Sequence, residues 1–255
     1  MAQVDCIHKG WGFSRDGFVT TIRFLYESGY LFRTFSEIIR ESSDSEKVCI
    51  LRHDVDVSVH LAFEMARIEH ELGIRSTYFL MLRSPTYNLF TRTNTRAIKH
   101  IQTLGHEIGL HFDGAAPTFH GNSIEQQILS EMGILSSLIG TDVRAFSFHQ
   151  PTAEDLSMSI EPRGVINAYR STALSDFQYI SDSNRNWKGR DPRTMVDSGT
   201  QKLQILIHPI WWMCESSLTT GCWDEAIARN FYAEQVQIVE TERAYGKPRR
   251  IDLTT

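Results

Sequence analysis

Ile50-Leu51-Arg52-His53-Asp54-Val55-Asp56 is an apolar run that ends in two carboxylates two positions apart. That is the pattern of a buried strand whose C-terminal end opens onto a site. Side chains alternate faces along a strand, so Asp54 and Asp56 can share one pocket if extended geometry persists. An aspartate at 56 would also serve to cap the helix that begins near Ser58. Capping leaves Asp54 and the charged neighbour Arg52 unexplained.

Outward from this strand the chain alternates. The next helix carries Leu61, Met65, Ile68 and Leu72 on one face and stops at Gly73. Strands are expected at Ser76 to Leu82, His106 to Leu110 and Val143 to Phe148, and helices at Asn94 to Leu104 and Ile124 to Ile139, closed by Gly105 and Gly140. Upstream, Asp16 to Ser28 reads as an amphipathic helix built on Phe18, Ile22 and Leu25, and Thr34 to Ile39 as a second, short one. Glu41 to Lys47 reads as a surface loop. Beyond Pro151 the rhythm loosens: short strands fit Val165 to Tyr169, Phe177 to Ile180 and Leu203 to Ile207, with a polar loop from Ser181 to Gln201 and a last helix from Asp224 to about Glu240. Regular strand-then-helix alternation predicts an α/β fold, a barrel of parallel strands with helices outside. No linker or repeat divides the chain. It reads as one domain over 1–255, with 1–47 as an N-terminal helical extension.

Composition narrows the function classes. The chain has 255 residues, 41% hydrophobic and 22% charged, with a net charge of -5, which suits a globular protein with a sizeable core and gives no basic footprint for nucleic acid. Neither a secretory signal nor an apolar run long enough to span a membrane is visible, so a cytoplasmic location is expected. Cys6, Cys49, Cys214 and Cys222 form no C-x-x-C pair and read as free thiols.

In parallel barrels, functional groups gather where strands end. Here those ends carry Asp54 and Asp56, then His111 and Asp113, then His149, Asp182 and finally His208. Imidazole and carboxylate together suit a divalent ion, zinc first and cobalt, manganese or nickel as alternatives, and a water bound there becomes a better nucleophile. His106 and His111 lie on opposite faces of one strand, roughly 16 Å apart, so His106 reads as structural and His111 as the ligand. Asp113 is awkward beside His111, because two residues along a strand separate them by roughly 6 to 7 Å. His149 is the better third ligand, since a barrel brings neighbouring strand ends together.

Four segments carry a family resemblance: Arg52-His53-Asp54-Val55-Asp56, Gly73-Ile74-Arg75-Ser76-Thr77-Tyr78-Phe79, Gly105-His106-Glu107-Ile108-Gly109-Leu110-His111 and Ile205-Leu206-Ile207-His208-Pro209. In that order they resemble the signatures of polysaccharide deacetylases of the NodB-homology class (carbohydrate esterase family 4-like). More narrowly, they resemble the divergent branch with an R-H-D-V-D first motif found in surface-polysaccharide and O-antigen gene clusters. The resemblance implies a distorted (β/α) barrel of about seven strands and metal-dependent removal of an acetyl group from a sugar. It implies Asp54 as general base, nineteen residues before Gly73, His111 as a metal ligand, His208 as the catalytic histidine and Arg144 as the arginine that orients the aspartate. The family's second aspartate would fall at Val55, where this chain supplies Asp56 one place on, so the roles of the two acids stay exchangeable. The second histidine of its H-x-x-x-H motif would fall at Ala115.

The expected site therefore has Asp56, His111 and His149 as metal ligands, with Asp54, His208 and Arg144 catalytic. One aspartate takes a proton from water and His208 protonates the leaving group. Arg170, Asp182, Ser183, Trp187 and Trp211 are candidates to contact a carbohydrate, an acetamido sugar that is nucleotide- or lipid-linked. A hydrolase of another linear or cyclic amide, and an idle binding protein that keeps the barrel, stay open beside this reading.

Overall fold

The computed structural model describes residues 11–38, 46–117, 122–158, 160 and 164–248. Ser14 caps α1 (Arg15–Glu27) by accepting from the Gly17 amide, and the helix buries Phe18, Ile22 and Leu25, the face expected from their spacing. β1 (Leu31–Arg33) follows, then α2 (Phe35–Ile38). The strand was not expected: three residues are too few to show a period. β1 lies parallel to the first half of β2 (Val48–Val55), and so joins the sheet rather than extending from it. The end of the expected Thr34–Ile39 helix and most of the Glu41 to Lys47 loop fall outside the described residues.

The strand-then-helix rhythm holds through α3 (Val59–Glu71), β3 (Thr77–Leu80), α4 (Arg92–Thr103), β4 (Glu107–Asp113), α5 (Ile124–Ile139) and β5 (Ala145–His149). α5 shows why its bounds were legible, with a Ser123–Gln126 capping box at one end and Gly140 at φ 76° at the other. After β5 come the short helix α6 (Ala153–Ser157), β6 (Ile166–Asn167), β7 (Gln178–Ser181), α7 (Pro192–Asp197), β8 (Lys202–Ile207), α8 (Pro209–Met213) and α9 (Thr219–Thr241). The polar stretch from Ser181 to Gln201 is therefore not all loop. Asp191 caps α7 and Pro192 opens it.

Seven strands run in the order β6-β5-β4-β3-β2-β8-β7, with β1 also on β2, and every pairing is parallel. This is the parallel α/β sheet that the alternation predicts, with the strand number that the resemblance implies. Its ends curl toward each other: Tyr169, just past β6, and Tyr179, on β7, have ring centroids 6.1 Å apart. No ladder joins those two strands among the described residues. The gap there is bridged by side chains instead of a backbone ladder.

Inside, Phe35, Ile50, Phe79 and Ala145 form a small apolar floor. Gly109 makes room for it, since a Cβ there would meet the Phe79 ring at 2.5 Å. The larger cores lie outside the sheet. α1, α3 and α8 cover β2 and β8 around Phe18, Leu51 and Trp212, while α4 and α5 cover β3, β4 and β5 around Tyr78, Ile101 and Leu135. The interior is apolar at this floor and polar at the C-terminal mouth, where Asp54, His111 and Ser147 are buried.

Candidate active site at the C-terminal mouth of the sheet

Register places the functional side chains. Along β2, Arg52, Asp54 and Asp56 share the inner face. Asp54 pairs with Phe79, Phe79 with Gly109, and His111 sits one inward position higher on β4, opposite Ser147 of β5. His149 follows Ser147 on the same face. On the other flank His53 pairs with Ile207, so His208 comes level with Asp54. Five groups from four strands thus face one space.

Three of them converge. His111 Nε2 lies 3.0 Å and His149 Nδ1 3.3 Å from Asp56 Oδ1, and the two imidazole nitrogens are 3.3 Å apart. Asp56 Oδ1 is buried yet makes no well-directed hydrogen bond among the described residues. Ligand atoms about 2.0–2.2 Å from a tetrahedral zinc ion stand roughly 3.3 Å from one another, so these residues fit a cation of that kind. His111 is held in the matching orientation, because its Nδ1 bonds Ser147 Oγ at 2.7 Å and leaves Nε2 facing the centre. Burial works to raise the Asp56 carboxyl, and the two imidazoles outweigh it and hold the group well below the carboxylate range. The Asp56 carboxylate in turn pushes His149 above the usual imidazole value.

Asp54 has different company. Arg52 Nη2 donates to its Oδ2 at 2.8 Å, Ser147 Oγ stands 3.5 Å from Oδ1, and His111 Nε2 is 3.8 Å away. Against a burial effect that would raise it, Arg52 first and then His111 and His208 keep Asp54 ionised. Arg52 itself is fully buried. Its guanidinium lies over the Tyr169 ring at 4.6 Å and near Phe79 and Tyr179 at 5.4 and 5.8 Å, and it donates to Tyr169 Oη at 3.0 Å.

His208 is fixed by Asp182. The carboxylate accepts from His208 Nδ1 at 2.5 Å, from the His208 amide at 3.1 Å and from Trp212 Nε1 at 2.7 Å, which turns Nε2 toward Asp56, 3.8 Å from Oδ2. Burial disfavours the imidazolium, but Asp182, with Asp56 and Asp54 behind it, pushes His208 up to about 9.

The expected roles of Arg144, Asp182, Trp187 and Trp211 need correction, while Arg170 and Ser183 lie apart from the converging group. Arg144 precedes β5, at the end of the sheet opposite His149, and its side chain pairs with Asp142 in solvent. Ala145, Ser147 and His149 face inward, so alternation turns Arg144 outward, away from Asp54; Arg52 makes that contact instead. Asp182 is completely buried beneath His208 and is out of reach of a sugar. Trp211 is buried in the core between β8 and its helices. Trp187 packs on the same core, its ring centroid 6.2 Å from those of Phe13 and Trp212. Arg170 is exposed and donates to the Leu156 carbonyl, and Ser183 Oγ pairs with Ser181 Oγ at 2.6 Å. Asp113 does end β4, but it accepts from the Ala115 amide and stands outside the converging group. Ala115 lies in the turn beyond β4.

Sequence reasoning missed Arg52, Ser147 and the Asp182–His208 pair. Arg52 carried a usable signal, the same two-residue alternation that joins Asp54 to Asp56.

No protein-family model matches the chain, and no curated protein does. Among solved structures it is similar to a Bdellovibrio bacteriovorus peptidoglycan deacetylase, at 16% identity over 87% of this chain and 55% of that one, with a TM-score of 0.45. It is similar to a CE4 family pseudoenzyme from Bacillus anthracis at 18% identity over 74% and 62%, with a TM-score of 0.42. A third similarity is to a family 4 acetyl xylan esterase from Clostridium thermocellum in complex with a cobalt ion, at 12% identity over 78% and 85%, with a TM-score of 0.42. The chain spans less than two thirds of the length of the first two.

Proposed function

We propose that the protein is a metal-dependent hydrolase that removes an acyl group, an acetyl first of all, from an amino sugar or a sugar precursor used in surface-polysaccharide synthesis. The observation that carries this reading is the convergence of Asp56 Oδ1, His111 Nε2 and His149 Nδ1 between an ionised Asp54 on one side and His208 on the other. Asp56, His111 and His149 would hold a divalent cation, zinc, cobalt, manganese or nickel, which when bound makes water more acidic and polarises an acyl oxygen. With two histidines against it, Asp56 is the ligand, and Asp54, held by Arg52, is the base. Asp54 takes the proton of the attacking water. His208 keeps its Nδ1 proton on Asp182 and offers the Nε2 proton to the leaving nitrogen or oxygen. Arg170 and Ser183 remain the candidates for contact with sugar hydroxyls or a diphosphate. The proposed substrate is a nucleotide- or lipid-linked sugar and the proposed location the cytoplasm; no helix among the described residues is long and apolar enough to cross a membrane.

The test is acetate release from a panel of free, nucleotide-linked and lipid-linked acetamido sugars, with metal content measured on the same preparation. Release that needs the bound metal and fails in Asp54→Asn is the expected result. Bound metal with no acetate from any sugar, and cleavage of some other amide, would favour the broader amidase reading; absence of bound metal would favour an idle scaffold.

A further inference from the structure

Three successive backbone carbonyls follow the end of β2, and each meets a side chain from elsewhere. Tyr87 Oη donates to Val55 O at 2.6 Å and accepts from the Met81 amide at 2.9 Å. Ser84 Oγ and Thr86 Oγ1 reach Asp56 O at 3.4 and 3.3 Å, and Thr86 Oγ1 lies closer still, 2.9 Å, to Val57 O. From α9, Asn230 Nδ2 donates to Val57 O at 2.6 Å and to Thr86 O at 3.1 Å, while its Oδ1 accepts from Ser58 Oγ at 2.6 Å. Tyr87, Ser58 and Asn230 are all buried.

This arrangement is more than packing requires. Asn230 sits mid-helix, where asparagine is less favourable than alanine, and its amide spends both donors and its acceptor on two loops. The β2–β3 ladder stops at the Val55–Leu80 pair, so Asp56 stands one residue past the last point where the sheet fixes its backbone. A side chain there aims wherever its peptide planes send it. Ligand atoms must be placed to about half an ångström to share a cation.

We propose that the side chains of Tyr87, Ser84, Thr86 and Asn230 form a carbonyl clamp that aims Asp56 Oδ1 at His111 and His149, so that Asn230 makes α9 a positioning element for the cation site. The clamp rests on the reading of those three residues as metal ligands. Neither Thr86 nor Asn230 touches the cation; both act through the 55–57 backbone.

The experiment uses the full chain stripped of metal, with Co2+ as the probe. Its dissociation constant is measured by chelator competition, its ligand-field spectrum by visible absorption, and the stability of the metal-free protein by thermal unfolding. Thr86→Val and Asn230→Asp are expected to weaken Co2+ binding about 10- to 100-fold and to change the spectrum, and Thr86→Ser, which keeps the hydroxyl, to bind and absorb as the wild type does. Affinity and spectrum unchanged in Thr86→Val and Asn230→Asp, with only a lower melting temperature, would overturn the clamp. So would equal weakening in Thr86→Val and Thr86→Ser. If Asn230→Asp does not fold, the Thr86 pair decides alone. Wild type that binds Co2+ tightly and His149→Ala that does not, beside clamp variants like the wild type, overturns the clamp and leaves the metal site standing; wild type that binds no Co2+ overturns both.

Discussion

Two histidine–carboxylate clusters lie on opposite faces of β2 and its immediate extension, joined to it by His53 on one face and Asp56, three residues on, on the other. On the outer face, Glu69 is fully buried and receives His53 Nε2 at 2.7 Å, Ser76 Oγ at 2.6 Å and Tyr78 Oη at 2.7 Å. His53 Nδ1 faces Ile207 O, and His106 is matched at both nitrogens, by Ala66 O and the Ser76 amide. On the inner face, Asp56, His111 and His149 crowd three ligand atoms together and leave Asp56 Oδ1 without a well-directed hydrogen bond. The residue types are alike in both. What separates a structural cluster from a candidate site here is whether every polar atom already has a well-directed hydrogen bond, because a buried oxygen faced only by ion-pair contacts of poor direction is retained where something else compensates it.

The largest expected effect tests the inner cluster. Asp54→Asn and Asp56→Asn should each lower acetate release by roughly 100-fold or more, but for different reasons: metal content should survive in Asp54→Asn and be lost in Asp56→Asn. Metal lost from both, or from neither, would erase the division of labour drawn between the two acids. Asp54→Asn also removes the counter-charge of a fully buried Arg52, so its folding stability has to be followed alongside activity.

Glu69→Gln tests the outer cluster. It leaves His53 facing a neutral amide, and breaking a buried pair in this way costs about 3–5 kcal/mol. Denaturant unfolding should show that loss, with metal content per folded molecule unchanged. The reverse outcome, lost metal with stability intact, would mean that the two clusters are one functional unit.

Acid should find the outer cluster as well. Burial lowers His106, and Glu69 is lowered because His53 outweighs the effect of its burial. Both folded groups bind protons less readily than the unfolded chain, so the stability they contribute is full above the unfolded values, roughly 6.5 for histidine and 4.3 for glutamate. It falls as pH drops through each folded value. Unfolding free energy of metal-free protein should decline below about pH 6.5, and in Glu69→Gln the lower part of that decline should flatten. A wild-type stability that is level from pH 7 to 4 would contradict it.

A smaller effect is expected at Ser147, which touches His111 and stands near Asp54. Without its hydroxyl the His111 ring loses the partner that keeps Nε2 turned inward. Ser147→Ala should weaken metal binding about 10-fold, the low end for a residue behind a ligand, with little change in the melting temperature. Unchanged affinity would show that the strand alone orients the ring.

How much of this could be read in the sequence depended on how local each cause was. The strand-then-helix order through β5, the helix faces and the glycine stops follow from neighbours within four residues, and so does the placing of Asp54 and Asp56 on one face. The sorting of His106 from His111 also follows from strand period, and the structure puts them where that period says, one in each cluster. β1 was not legible because a three-residue strand exists only through its partner, whereas β6 was expected within Val165 to Tyr169 and is shorter than that, two residues. Asp182 was misread as a sugar contact because its partner, His208, is 26 residues away. Ser147 looked like one more residue of an apolar strand, and only the β4–β5 register sets it against His111.

Arg144 and Arg52 give the sharpest lesson of that kind, and the smallest predicted effect. Alignment by motif order puts an arginine at 144 in the role of holding the aspartate, yet strand alternation turns that residue outward just ahead of β5, where its guanidinium is half exposed and 3.3 Å from Asp142. Arg52 reaches Asp54 from two positions earlier on the same strand, with three aromatic rings around it. A lysine at 52 would keep the charge but lose the planar fork and its stacking on Tyr169, so Arg52→Lys should cut acetate release by about 10-fold, roughly 1.4 kcal/mol of transition-state stabilisation. Arg144→Ala, an exposed substitution away from the mouth, should change stability by less than about 0.5 kcal/mol and leave both metal content and acetate release at wild-type values. A loss of activity in Arg144→Ala with Arg52→Lys unaffected would mean that the motif order describes the working enzyme better than strand alternation does, and Asp54 would have to be oriented by a side chain from the outer face of the sheet.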